Sequence, residues 1–259
     1  MGILQTAERS SATDSSENVV FQRHLIAYKE TAKLISGTVL EIGSGEGYGI
    51  RELVDKCDKY IAIDKYATKI NPEIKNSKNI TFIECEVPPL KDIDDNCIDY
   101  VVTFQVIEHI FDDKYFLSEI KRVLKKNGKL ILTTPNKKMS LSRNPWHIRE
   151  YTIREMTDLL TDFFSDTKVM GVFGNEKVMK YYKKNRDSIQ KITRFDIFNL
   201  QYKLPRWMLQ IPYDILNRFN RHALEDDNKQ LVESITYKDY HIDETNQQCL
   251  DHFCIATKS

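Results

Sequence analysis

Apolar residues recur every three or four positions from Val19 to Ile35, through Phe21, Leu25, Tyr28 and Ala32, a spacing that predicts a helix. Short apolar runs then punctuate the chain. Thr38–Ile42, "YIAID" ending at Asp64, "ITFIEC" at 80–85 and "IDYVVTF" at 98–104 each predict a buried strand. Residues 112–126 return to helical spacing, with Tyr115, Phe116, Ile120, Val123 and Leu124 apolar and Asn127-Gly128 as the expected stop. A strand "KLILTT" broken by Pro135, a helix over 152–163, a strand "TKVMGVF" at 167–173 and a closing strand "CLDHFCIAT" at 249–257 complete the pattern. A further helix is expected over 48–56, and residues 5–17 are polar and serine-rich.

Strands alternating with helices imply a parallel sheet covered on both faces. In such sheets ligands lie outside the carboxyl ends of the strands. That places the segment after Ile42, Asp64, Glu86, the segment after Phe104 and the loop after Thr134 along one edge. Residues 175–235 break the alternation and are too long for a structureless connection. They read as a basic helical cap. Between 177 and 221 stand eleven basic residues against three acidic ones, a net +8. The expected organisation is an arm at 1–17, a sheet domain at 18–174 and 236–259, and the cap at 175–235. In "PRWMLQIPYDILNRFNRH" the apolar residues are expected to bury against the core; the alternative is an amphipathic surface that docks on anionic lipid.

Composition narrows the class. The chain has 259 residues, 41% of them hydrophobic, and 38 basic residues balance 38 acidic ones, so a general nucleic-acid binder is not expected. Five cysteines without C-x-x-C spacing suggest neither a disulfide framework nor a zinc site, and no other cluster shows metal-ligand spacing, so no metal is expected. Reduced thiols and the lack of a signal-peptide pattern at the first residues suggest a cytoplasmic protein, with peripheral membrane contact through 204–222 as a variant of that reading.

The chemistry is concentrated in "VLEIGSGEGYG", residues 39–49. Clustered glycines after a strand allow a sharp turn and a close ligand. The dinucleotide pattern G-x-G-x-x-G fails from Gly43, because position 48 is Tyr. Glu41 precedes the first glycine by two residues, poorly suited to a pyrophosphate and well suited to an ammonium group. Asp64 ends the second strand, where an acid accepts hydrogen bonds from ribose hydroxyls. A cofactor with a ribose, a positive charge and no phosphate meets these demands, as S-adenosylmethionine does.

With these residues the chain resembles a class I S-adenosylmethionine-dependent methyltransferase. "LEIGSGEGYG", "IAID", "DYVVTFQVIEHI" and "LKKNGKLILTTPN" fall in that family's order and spacing over about residues 20–173, and the match resumes in the final strand. "FQVIEHI" and "TTPN…NPWHIREYT" resemble the subgroup with ubiquinone-biosynthesis O-methyltransferases and methyltransferases of polysaccharide or lipid gene clusters. The resemblance implies a Rossmann-like α/β sheet of seven strands, the last antiparallel, with helices on both faces and the cap inserted before the last strand.

It also implies roles. Gly43, Ser44 and Gly45 would lie against the methionine part, with Glu41 near its amino group. Asp64 would hold the ribose, Lys65 or Tyr66 would flank the adenine, and Glu86 with Val87 would meet its edge. Phe104 and Gln105 would line the methyl-donor end, and Arg23, His24 and Tyr28 would close over the cofactor carboxylate. His109 is a candidate catalytic base and His147 a candidate base or substrate contact, since His is the usual base near neutral pH, while Arg149 and Glu150 either share that contact or anchor the loop to the next helix. The expected reaction is O-methylation of a small-molecule, glycan or lipid-linked hydroxyl, with S-adenosylhomocysteine as product. N-methylation of an amine or peptide and a non-catalytic cofactor-binding scaffold are the alternatives.

Overall fold

The apolar runs assemble into one eight-stranded sheet, seen in a computed structural model that describes residues 14–66, 79–194, 196 and 199–259. The strands are β1 (Thr38–Ile42), β2 (Lys59–Asp64), β3 (Ile80–Glu84), β4 (Ile98–Phe104), β5 (Leu124–Pro135), β6 (Asp166–Gly174), β7 (Tyr240–Glu244) and β8 (Asp251–Thr257). Their spatial order is β3-β2-β1-β4-β5-β8-β6-β7. Strands β1 to β5 pair in parallel, and β8 runs antiparallel between β5 and β6. The closing strand is thus antiparallel, as expected. The sheet has eight strands rather than seven because "YHIDE" adds β7 antiparallel to β6 at the edge. Only Tyr240 of β7 is buried, so its sequence carries little of the apolar signal that marks the inner strands.

Alternation along the strands sends neighbouring residues to opposite faces. Leu40 and Ile42 pack into one core with Phe116, Leu117 and Ile120 of α3 (Asp113–Val123) and Met156 and Leu160 of α4 (Ile153–Thr161). Val39 points into the other, with Ile26 of α1 (Asn18–Thr31), Leu53 of the four-residue α2 (Ile50–Leu53), Tyr60 and Phe253. Local chemistry starts these helices where the sequence says. The Asp112 side chain accepts from Tyr115 N at 2.9 Å. Thr152 and Glu155 form a reciprocal capping box, which satisfies two orphan backbone donors. Helix α3 ends at Val123, three residues before the expected stop. Leu124 already belongs to β5, and Asn127 takes a left-handed φ of 63° within it while its N–H binds the Lys258 carbonyl at 2.8 Å.

Residues 1–13 of the expected polar arm lie outside the described residues. In the arm's last four residues Asp14 caps the turn Ser15–Glu17, and Glu17 pairs with Arg221 at 3.1 Å. Beyond β6 come α5 (Glu176–Thr193), α6 (Leu200–Lys203) and α7 (Arg206–Ser234), which contains Pro212 and is kinked at Asn228. Asn220 joins α7 to α5 through Ser188 at 2.6 Å and Asn185 at 2.8 Å. Asn18 holds the end of α7 through the carbonyls of Val232 and Ile235. The expectation that the α7 apolar residues bury against the core fails for one face. Trp207, Ile211, Ile215 and Phe219, spaced by four, are 72, 71, 50 and 71% exposed. The opposite face, with Leu209, Tyr213 and Leu216, lines a cavity, and Leu224 and Val232 are buried beyond it. No helix among the described residues is long and apolar enough to cross a membrane.

Candidate active site

The glycine loop leaves β1 and is strapped to β2. The N–H groups of Gly43 and Ser44 donate to the Ile63 carbonyl at 2.7 and 3.2 Å. Gly45 N donates to Asp64 Oδ2 and Tyr66 N to Asp64 Oδ1, both at 2.8 Å. Asp64 therefore sits at its expected strand end and also fixes the loop opposite. Gly45 has φ +55°, and a Cβ built there would meet nothing within 4 Å, so this left-handed backbone faces open space. Gly49 is bare for a different reason. A Cβ there would fall 2.0 Å from Cε1 of Tyr28, whose ring lies on the loop. The residues around Gly45 thus fit a group laid directly against main chain, which is what a nucleoside amino acid requires.

Glu41 is 2% exposed, because strand alternation turns it inward on the Val39 face. Its Oε1 accepts from the Tyr28 hydroxyl and its Oε2 from the Tyr60 hydroxyl, each at 2.7 Å. Burial raises the Glu41 pKa, and the two phenol hydrogen bonds oppose that rise. Burial likewise pushes both tyrosine hydroxyls well up. Both carboxylate oxygens are engaged by phenols, so an ammonium group would have to share them. Phe104 meets Tyr28 edge-on, with centroids 4.7 Å apart. Lys65 and Glu86 form an exposed ion pair with each other, and Val87 packs against the core.

Gln105 follows β4 with φ 56°, and its side chain reaches Thr133 Oγ1 at 3.2 Å. Glu108 is buried. Its Oε2 accepts from Thr134 Oγ1 at 2.9 Å, its Oε1 is buried without a hydrogen-bond partner among the described residues, and burial raises its pKa. The Glu108 carbonyl accepts from Ile148 N at 2.7 Å, which ties the loop after β4 to the loop after β5. That tie brings the rings of His109 and His147 to 5.0 Å, nearly perpendicular. His109 Nδ1 lies 3.2 Å from the Trp146 carbonyl, and His147 Nδ1 lies 2.7 Å from Glu150 Oε1. Arg149 instead anchors the loop to the start of α3, through Asp113 and the Phe111 carbonyl.

Arg23 does not stand alone at this edge. Its Nε lies 3.1 Å from Oδ2 of Asp251, a buried acid on β8. Burial pushes the Asp251 carboxyl up to about 6, against the pull of Arg23. Sequence reading missed Asp251; the signal was an acid inside the apolar run "CLDHFCIAT". His252, the next residue on β8, is fully buried and bonds the Tyr151 carbonyl at 2.9 Å.

A cavity of about 610 Å³ opens between this edge and the cap. Arg23, Gln105, Glu108, His109 and His147 wall it on the sheet side, whereas Gly45, Asp64, Lys65 and Glu86 do not reach it. The loop after β5 forms its rim and is fastened to the cap, with Trp146 Nε1 donating to Asp214 Oδ1 at 2.9 Å and Arg143 to the Gln201 carbonyl at 2.7 Å. Spacing along the chain pointed to no metal site, yet the fold brings ligand atoms of Glu108, His109 and His147 within 4.8 Å of one another.

Comparison with known proteins gives the family and the fold. A family model described as a methyltransferase domain matches residues 36–191. A "probable S-adenosylmethionine-dependent methyltransferase" of Mycobacterium tuberculosis is 35% identical over 175 residues, which cover 65% of this chain and 64% of that protein. A Thermotoga maritima structure described as a methyltransferase, "possible histamine N-methyltransferase", superposes with TM-score 0.55 at 16% identity, over 93% of this chain and 92% of that one. The N-methyltransferase NodS of Bradyrhizobium japonicum, in complex with S-adenosylhomocysteine, gives TM-score 0.52 at 14% identity, over 62% of this chain and 82% of that one. At such identities the structures speak for the fold, and the family match carries the assignment: the chain belongs to the class I S-adenosylmethionine-dependent methyltransferases.

Proposed function

We propose that this chain methylates a hydroxyl oxygen of a small-molecule, glycan or lipid-linked acceptor held in the cavity beneath the cap. The observation that carries the reading is the cavity itself, whose sheet-side wall joins His109 and His147 to Gln105 at the end of β4. S-adenosylmethionine, when bound, supplies an electrophilic methyl carbon; the acceptor oxygen attacks it, the carbon–sulfur bond breaks with its electron pair going to sulfur, and S-adenosylhomocysteine leaves. The protein's share is chiefly alignment, worth several kcal/mol. Gly45 and Asp64 hold the nucleoside end. Cavity walls from α5, α7 and the loop after β5 hold the acceptor. His109 and His147 activate its hydroxyl, a contribution of about 10²- to 10⁴-fold when a positioned group takes the proton.

The exposed stripe of α7 supports a lipid-associated acceptor. Trp207, Ile211 and Phe219 project beside Arg218 in a stretch, 177–221, of net +8, the make-up of a helix that lies on an anionic bilayer. The test is incubation with methyl-labelled S-adenosylmethionine and a fractionated extract of the source cell. Label is expected in an organic-phase or glycan product, and His109→Ala and His147→Ala should each reduce it at least about 10²-fold. Full transfer by the double variant would instead indicate an amine acceptor, and cofactor binding with no label in any fraction would indicate a scaffold.

A further inference from the structure

We propose that Glu108, His109 and His147 hold one divalent first-row transition-metal ion at the cavity wall. The inference rests on the oxygen-acceptor reading above and names how the two histidines activate the hydroxyl.

The histidine tautomers follow from their partners. The Trp146 carbonyl can only accept, so His109 Nδ1 must be the donor in that bond. An ionised Glu150 likewise only accepts, so His147 Nδ1 donates to it. In the neutral tautomer that these bonds select, each ring carries its lone pair on Nε2, turned away from its anchor. Histidines that ligate metals are oriented in this way, by a carbonyl or a carboxylate behind them. The third group is Glu108. Its Oε2 is satisfied by Thr134, whereas its Oε1 is buried and has no hydrogen-bond partner among the described residues. A carboxylate oxygen left bare in the interior is costly, and a cation is the partner that two imidazoles and a carboxylate jointly offer.

The ligand atoms of the three residues lie within 4.8 Å of one another. Bonds of about 2.1 Å to one ion put neighbouring ligand atoms about 3.4 Å apart, so the set must contract by about 1.4 Å at its widest. The contraction also displaces Asn144, whose amide Nδ2 stands 2.9 Å from His147 Nε2. All three residues line the cavity, so open coordination positions face the acceptor. Two imidazoles with one carboxylate suit Mn²⁺, Fe²⁺, Co²⁺ or Zn²⁺ better than Ca²⁺ or Mg²⁺, which prefer oxygen alone. An acceptor hydroxyl on the ion loses its proton to solvent water near neutral pH. The resulting oxygen attacks the methyl carbon, with the carbon–sulfur electron pair passing to sulfur as before.

The experiment has two readouts on the full chain. Calorimetric titration with Mn²⁺ and Co²⁺ is expected to show one ion per chain, with Co²⁺ giving visible d–d absorption. His109→Ala and His147→Ala should abolish that binding, and Glu150→Gln, which only orients His147, should weaken it about 10- to 100-fold. Circular dichroism and melting temperature of each metal-free variant confirm that it is folded. Failure to bind either ion, or binding undiminished in both alanine variants, overturns the metal site. The labelled-methyl assay with and without chelator reads the acceptor chemistry separately. Transfer to oxygen that survives complete chelation overturns the metal and leaves the oxygen-acceptor reading standing, whereas stoichiometric metal binding without transfer to any hydroxyl removes that reading.

Discussion

Tyr28→Phe isolates the bond that joins α1 to the inward carboxylate of β1. The substitution removes one hydroxyl and keeps the ring that lies on Gly49 and meets Phe104 edge-on. What disappears is the 2.7 Å hydrogen bond to Glu41 Oε1, in a site where Glu41 is 2% exposed and water cannot replace the donor. Hydrogen bonds to charged groups contribute about 1.5–3 kcal/mol, and the loss of one partner leaves the other buried and unsatisfied, so the expected cost is about 2 kcal/mol. For a chain of this size that is a fall of about 4–8 °C in melting temperature. Urea unfolding followed by circular dichroism should show a lower midpoint at unchanged slope. Glu41→Gln should be strongly non-additive with Tyr28→Phe, by about 1 kcal/mol or more, because both act on one bond. An unfolding free energy within about 0.3 kcal/mol of wild type, or strict additivity, would show that the Tyr28–Glu41 contact contributes nothing and that the inward-facing carboxylate is stabilised by something else.

Gly45→Ala places its Cβ in open space and should cost only the left-handed strain of about 1–2 kcal/mol, yet reduce S-adenosylhomocysteine affinity by at least about tenfold in calorimetry; undiminished affinity removes the loop from the cofactor site. Gly49→Ala, by contrast, drives a methyl into Tyr28 and should destabilise by about 1–3 kcal/mol, read by urea unfolding. Burial alone would raise the Asp239 pKa, but Lys177, Thr236 N–H and Asn175 outweigh it and bring the carboxyl from 3.8 to about 2. The unfolded chain therefore takes up this proton first, so stability should drop as pH falls from about 4 towards 2, and Asp239→Asn should flatten that part of a melting-temperature profile. Trp207→Glu with Phe219→Glu should abolish co-sedimentation with vesicles containing anionic lipid while leaving S-adenosylhomocysteine affinity unchanged; equal sedimentation of variant and wild type counts against a lipid-facing α7.

The parts of this molecule that could be read from sequence are those governed by local periodicity. Runs such as "VLEI" and "YVVTF" are apolar on both faces because a parallel strand is buried on both, and they announce the strand ends where the loop and Asp64 lie. What escaped was set by neighbours distant in sequence. Glu41 sits in the inward phase of β1, but only the arrival of Tyr28 and Tyr60 shows that phenols occupy its oxygens. Glu108 and His147 are joined through backbone bonds between two loops, and no spacing rule along the chain encodes such a meeting. In α7 the four-residue repeat of Trp207, Ile211, Ile215 and Phe219 is the same for a buried face and an exposed one; the choice was made by the cap, which turns the other face to the cavity.

On the proposed function, the cofactor and acceptor halves of the site are also built by different forces, with a consequence for specificity. The cofactor half is held at strand ends, by the Ile63 carbonyl, which accepts from the backbone of the loop, and by the Asp64 carboxylate, which accepts from Gly45 N. The acceptor half is roofed by helices fastened at separate points by side chains: Trp146 to Asp214, Arg143 to the Gln201 carbonyl, Asn220 to Ser188 and Asn185, and Arg221 to Glu17. Cavity-facing residues of the cap such as Leu209, Tyr213 and Leu216 lie between these fastenings and carry no backbone of the cofactor loop. Changes there alter the shape offered to the acceptor and leave Gly45 and Asp64 where they are. If the cavity holds the acceptor as proposed, substrate choice is a property of the cap and its rim, separable from the methyl-donor half.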